Sequence, residues 1–161
     1  MDSNMEQSPK TISKEKALSR VANLCARREY CVFDIETKLK RYNLEPDAIK
    51  SIVTHLIKEK YIDELRFTRS FIHDKVRFNK WGKVKIEFTL RQKRIPEDIV
   101  AEAFLDYTDD QLNDSLQDLL QAKWKTIKGN TEYDRKNKLI RFGLSRGFAM
   151  NIILECMKNL K

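Results

Sequence analysis

Apolar residues recur along this chain at helical spacing. Leu18, Val21, Ala22 and Cys25 fall on one stripe, Ile35 and Leu39 on a second, and Ile49, Ile52, Val53, Leu56 and Ile57 on a third. Steps of three and four residues put each set on one helical face. The residues between stripes are fitting punctuation. Asp34 is of a type that N-caps a helix, here the second, and Pro46 suits the first turn of the third, where its missing N–H is no loss. Further on, Gly82 separates two helices and Pro96 opens another. Thr108 and Gln111 have capping-box spacing at the head of a long helix, and Gly147 suits the left-handed residue that ends a helix before Phe148. One stretch is ambiguous. WGKVKIEFTL alternates with period two, the pattern of a half-buried strand.

A repeat resolves that stretch in favour of a helix. Displacing the chain by 51 positions pairs Val21 with Ile72, Cys25 with Val76, Tyr30 with Trp81 and Ile35 with Ile86. The same register pairs Leu39 with Leu90, Leu44 with Ile95, Ile49 with Val100 and Val53 with Phe104. Ile86 and Leu90 thus occupy the slots of Ile35 and Leu39, which lie in a plainly helical segment. The pairs share hydrophobicity with little polar identity, so a core is repeated and not an active site. A looser third copy places Phe148, Ile153 and Met157 in the positions of Ile95, Val100 and Phe104. The expected architecture is all-α: three tandem three-helix repeats, nine helices, forming an elongated, curved array. The expected divisions are a flexible arm over 1–15 and repeats over 16–65, 66–107 and 108–161. Only four Gly and three Pro in 161 residues agree with long helices and not with a turn-rich sandwich or barrel.

Charge changes the picture because it is distributed in blocks. The formal net charge is +8, yet residues 1–65 are nearly balanced and residues 95–122 carry eight acids and no base. Residues 66–94 hold ten Lys or Arg against Asp74 and Glu87, and residues 123–161 hold ten against three acids. A localised positive field of this kind fits an acidic, elongated partner. The candidate basic face comprises Arg69, Lys75, Arg77, Lys80, Lys83, Lys85, Arg91, Lys93 and Arg94, with Lys123, Lys125, Arg141 and Arg146 from the third repeat. Some of these cations are the solvated sides of helices whose apolar sides form the core. The rest are available for phosphates or for an acidic protein groove.

Aromatic residues interleave with the cations. Tyr30, Phe78, Trp81 and Trp124 are of the type that stacks on bases. Trp81 shares a slot with Tyr30, which favours a packing role at a helix end; Trp124, between Lys123 and Lys125, is open to either reading. His73 beside Asp74 has no third group or nucleophile near it, so it reads as a surface histidine. The acids Asp98, Glu102, Asp106, Asp109, Asp110, Asp114 and Asp118 lack the spacing of a calcium loop and read as a solvated face. Cys25, Cys31 and Cys156 are odd in number, without a CxxC pair and with only two histidines in the chain, so the expectation is reduced thiols and no structural zinc. No catalytic residues, metal or cofactor are expected, since no phosphate-binding glycine loop, HExxH or GxSxG motif is present. No run approaches the ~18–20 apolar residues of a membrane span. The polar N-terminus lacks the apolar middle of an export signal, and a cytoplasmic location is expected.

Two segments carry a family resemblance. Residues 56–104, LIKEKYIDELRFTRSFIHDKVRFNKWGKVKIEFTLRQKRIPEDIVAEAF, and residues 139–148, LIRFGLSRGF, resemble the RecX family of bacterial RecA regulators. Tyr61, Ile62, Asp63, Glu64, Arg66 and Phe67 match that family's junction motif. Leu90, Arg91, Gln92, Lys93, Ile95, Ile99 and Ala103 match the segment that follows it. The resemblance implies tandem three-helix repeats and a non-enzymatic modulator in recombination, DNA repair and the SOS response. It also implies partners: RecA and its filament on single-stranded DNA, whose strand exchange and ATP hydrolysis such proteins generally inhibit. Lys60 and Arg94 stand where the family has Gly, which puts the turn geometry there in question; Glu64 replaces an Asp, and Gly143 stands where Leu is common. The residues alone reach a helical-repeat protein with a basic face. They leave open a direct, weak contact with DNA, a helix-turn-helix reader of DNA, and a protein adaptor. Against the reader, the cations spread over several helices and few amides cluster for base edges.

Overall fold

The computed structural model describes residues 11–161 and is helical throughout, with no strand among the described residues. Ten helices follow in order: α1 (Lys14–Arg27), α2 (Val32–Lys40), α3 (Pro46–Lys58), α4 (Glu64–Arg77) and α5 (Lys83–Gln92), then α6 (Glu97–Phe104), α7 (Asp109–Asn113), α8 (Leu116–Thr126), α9 (Glu132–Ser145) and α10 (Met150–Met157). The expected arm over 1–15 lies mostly outside the described residues, and α1 begins within its last two positions. The chain forms two compact units, divided within α4 between Phe67 and Thr68.

In the first unit, α1, α2 and α3 enclose Ala17, Val21, Tyr30, Ile35, Leu39, Ile52, Val53, Leu56 and Ile62. In the second, Ile72, Ile86, Leu90, Ile95, Ala103 and Phe104 are buried along α4–α6. Leu116, Leu120, Leu139, Phe148 and Ile153 form the core of α8–α10. Each of the eight residue pairs in the 51-residue register is buried or half-buried at both positions. The repeat is therefore a repeat of packing positions.

Two expectations about helix boundaries are corrected. Asp34 does not cap α2; Cys31 holds the N-cap position and Asp34 sits in the first turn, where a carboxylate still favours the positive end of the helix dipole. The helix opened by Thr108 is not long. The capping box forms, with the Gln111 N–H donating to Thr108 Oγ1 at 3.1 Å and the Thr108 N–H to Gln111 Oε1 at 2.9 Å. The helix then breaks around Asp114–Ser115, so the described residues form ten helices in place of the expected nine. WGKVKIEFTL is helical, as its repeat slots require. Its alternation arises because Ile86 and Leu90 point into the core while Val84 and Phe88 point out.

The turns hold the helices in register through one recurring device. The N–H of Tyr61 donates to the Leu56 carbonyl, that of Ile95 to Leu90, and that of Phe148 to Gly143, each bond spanning five residues. That is the Schellman closure, and it needs a left-handed residue just before the donor. Lys60 (φ 61°), Arg94 (φ 58°) and Gly147 (φ 93°) fill those places. The non-glycine residues at the first two keep the closure but store strain there.

Candidate functional site

The site is built where α5 begins. Gly82 caps α5, and its N–H donates to the Arg146 carbonyl at 2.8 Å; the Val84 N–H donates to the Gly147 carbonyl at 3.0 Å. The carbonyls at the C-terminal end of α9 thereby satisfy the N–H groups at the start of α5, and the opposite ends of two helix dipoles meet. The approach is too close for side chains. A Cβ on Gly82 would lie 2.4 Å from the Gly147 oxygen, and one on Gly147 would lie 2.3 Å from Lys85 Cβ. Both glycines are required by contact, and Gly147 also by its φ.

This contact brings together two aromatic rings, each flanked by two cations. Lys75 and Lys85 place their ammonium groups 4.7 and 4.3 Å from the Trp81 ring centroid. Lys123 and Arg146 lie 5.3 and 5.2 Å from that of Phe142. Trp81 adjoins Gly82, and Arg146 adjoins Gly147, so the two sets share the same backbone contact. Cation–π attraction holds each charge over its ring. Among the described residues, none of the four cations has a carboxylate within ion-pair distance. The two like charges over each ring repel, and a bound anion relieves that repulsion. The arrangement is suited to phosphates of an extended polyanion.

The other basic-face residues are placed differently. Arg69 bonds Asp106 at 3.1 Å, Lys83 pairs with Glu87 at 3.6 Å, and Arg91 pairs with Glu97 at 3.5 Å. Arg77 lies over Phe78, which is exposed. Lys80 (φ 57°) and Arg94 are exposed in left-handed turns, Lys93 is half-buried, and Lys125 and Arg141 are exposed on α8 and α9. Tyr30 in the first unit also has two flanking cations, Arg28 at 4.7 Å and Lys38 at 5.4 Å, but it is 8% exposed and belongs to the core. Trp124 is used structurally: the Arg135 guanidinium lies 3.9 Å from its ring centroid, and Nη2 donates to the Trp124 carbonyl. His73 is exposed, edge-on to Phe78. Charge density in the sequence locates the cations, but Phe142 and the Gly82–Gly147 contact carry no signal beyond a glycine pair 65 positions apart.

The junction motif is a capping device within the first unit. Glu64 Oε1 accepts the Val32 N–H at 2.8 Å, closing the N-terminus of α2. Asp63 Oδ1 accepts the Arg66 N–H at 3.0 Å, and Arg66 in turn bonds Glu29 at 2.6 Å and the carbonyls of Lys60 and Tyr61. Ile62 and Phe67 are buried, and Tyr61 is exposed. Ile62, Asp63, Glu64, Arg66 and Phe67 thus build structure. Burial raises the thiols of Cys25 and Cys156 above their ordinary value and pushes Cys31 up to about 12, so these free thiols are poor nucleophiles at neutral pH. Among the described residues no His, Cys, Asp or Glu cluster is arranged to hold a metal, and no helix is long and apolar enough to cross a membrane.

Comparison with known proteins supplies the family. Residues 63–103 match the second three-helix domain of RecX, and residues 109–157 the third. Regulatory protein RecX of Prosthecochloris aestuarii is 33% identical over 148 residues, covering 90% of this chain and 93% of its own. That of Chlorobium phaeobacteroides is 32% identical, covering 91% and 94%. The crystal structure of RecX from Lactobacillus salivarius superposes with a TM-score of 0.75 at 21% identity, covering 91% of this chain and 96% of that one. A second RecX crystal structure gives a TM-score of 0.82 at 20% identity, covering 91% and 73%. With two of its domains matched and relatives aligned over most of its length, this chain belongs to the RecX family of regulatory proteins.

Proposed function

We propose that this protein binds RecA and the RecA filament on single-stranded DNA and inhibits its recombinase and ATPase activity, without catalysing a reaction itself. The observation that carries the reading is the set of four cations, Lys75, Lys85, Lys123 and Arg146, gathered over two rings with no carboxylate partner among the described residues. Membership in a family of regulators supports it. A filament on single-stranded DNA is acidic and elongated, and phosphates neutralise such a cluster better than any group within the described residues. The cluster sets the chain on the nucleic acid, and a repeat protein lying across successive RecA subunits impedes all of them.

Titrating the protein into RecA turning over ATP on single-stranded DNA tests this. ATP hydrolysis and strand exchange should fall well before the regulator equals RecA in amount. Unchanged rates at equimolar protein would show the reading to be wrong.

A further inference from the structure

The outer side of α5 is apolar where a helix surface is ordinarily polar. Val84 and Phe88 lie one turn apart and are 57% and 56% exposed, while Ile86 and Leu90 on the opposite side are fully buried. The core does not require Phe88: the same position of the first repeat is Thr37, an exposed residue whose hydroxyl donates to its own helix. Beside this ridge, α5 and α6 enclose a groove of about 430 Å³. Ile95, Val100, Ala101 and Phe104 line it, and Leu105, 82% exposed, stands at its edge. Helical geometry makes ridge and groove neighbours, because Glu87 and Arg91 on the groove wall adjoin Val84 and Phe88 at steps of three residues.

The rim says what such a surface takes. Along it run Lys83, Glu87, Arg91 and Glu97, alternating in sign, with the two ion pairs closed at 3.6 and 3.5 Å. Its net charge is zero. A phosphate chain entering here would meet two carboxylates, unlike at Trp81 and Phe142, where none of the four cations is paired with a carboxylate among the described residues. Apolar anchors bordered by charges of both signs are the chemistry of an amphipathic helix, which seats residues one turn apart in a groove and pairs its flanks with the rim.

We propose that the outer face of α5 and the α5–α6 groove form a protein-docking surface, separate from the cation cluster, that takes an amphipathic helix of RecA in the filament. The inference rests on the functional reading above. It divides the work between two faces: the cluster contacts the nucleic acid, and the ridge and groove contact the protein.

The test uses the full chain carrying Phe88→Ser with Leu105→Ser, and separately Leu105→Arg, at side chains exposed enough that folding does not depend on them. Three quantities are measured: binding to RecA filaments on single-stranded DNA, binding to a bare oligothymidylate, and molecular mass in solution. Filament affinity should fall about tenfold or more, as loss of an anchoring aromatic ordinarily brings. Affinity for the bare strand, melting temperature and mass should not change. Filament affinity within about twofold of the unsubstituted chain would overturn the proposal. Equal losses on filament and bare strand would make the surface a nucleic-acid site and overturn it too. So would a dimer of the unsubstituted chain that the substitutions dissolve without weakening filament binding. If the unsubstituted chain binds bare DNA but not the filament, the functional reading itself fails and takes the inference with it.

Discussion

The Glu64 side chain reaches the N-terminus of α2 to accept the Val32 N–H. Burial raises its carboxyl above the ordinary 4.5; the Val32 hydrogen bond offsets this in part, and the charges of Asp34, Asp63 and Glu36 add to it. A carboxyl whose folded pKa lies above its unfolded one costs stability when ionised, and that cost fades as pH falls through the folded value toward 4.5. Glu64→Gln keeps an acceptor for Val32 and removes the charge. Its melting temperature should equal or exceed that of the unsubstituted protein at pH 7, with the difference closing near pH 4; a lower value at pH 7 would show that the ionised cap is the stabilising form. Glu64→Ala removes the acceptor as well and should cost about 1 kcal/mol in chemical denaturation. Lys60 is the second residue with a local conflict. A side chain at φ 61° costs about 1–2 kcal/mol, and glycine gives back roughly 0.5–1 kcal/mol of that as unfolded-state entropy. Lys60→Gly should therefore raise the denaturation midpoint slightly, and a clear fall would mean that the ammonium group has a role. At Gly143 an added Cβ would lie 2.8 Å from Ile153 Cδ1. Here Ile153 fills the space, which accounts for the missing side chain.

Helices, their order and most of their boundaries are legible from periodicity, because burial requires the apolar positions to share a face. Leu90 is the sharpest case: the 51-residue register assigns its slot, and it is fully buried on α5. Leu90→Ala should destabilise the protein by about 2–5 kcal/mol, measured by denaturant unfolding; an unchanged midpoint would mean the site is not packed. The misplaced cap of α2 and the broken helix after Thr108 have a common cause. Asp, Ser and Asn suit caps, first turns and breaks alike, so residue type alone does not separate those roles. Gly82 is readable as a breaker, but not as half of a contact. Gly82→Ala should cost about 1–3 kcal/mol through overpacking against Gly147, and it should also weaken polyanion binding by spreading the cluster. Binding equal to that of the unsubstituted chain would separate the cluster from this contact.

At the scale of the molecule, the charge comes in blocks, and the fold decides which cations are paired with carboxylates and which stand over aromatic rings. Lys85→Gln with Arg146→Gln removes one charge from each ring. The log–log salt dependence of single-strand binding should then flatten by about 0.7 for each phosphate no longer neutralised. Equal slopes for variant and unsubstituted protein would show that these side chains only cover the rings. Lys83 and Arg91 are as prominent in the sequence as Lys85 and Arg146, yet each is tied to a carboxylate on the groove rim. Formal charge counts every cation alike, whereas binding depends on which of them lack a counter-charge. The helices, the repeated core and the family were determined by the sequence, since all three depend on periodicity and short-range motif. Which cations share a ring, and which helix ends adjoin, was decided only by the tertiary structure: Lys75 and Lys85 stand over Trp81, Lys123 and Arg146 over Phe142, and two glycines far apart in the chain let the end of α9 close onto the start of α5.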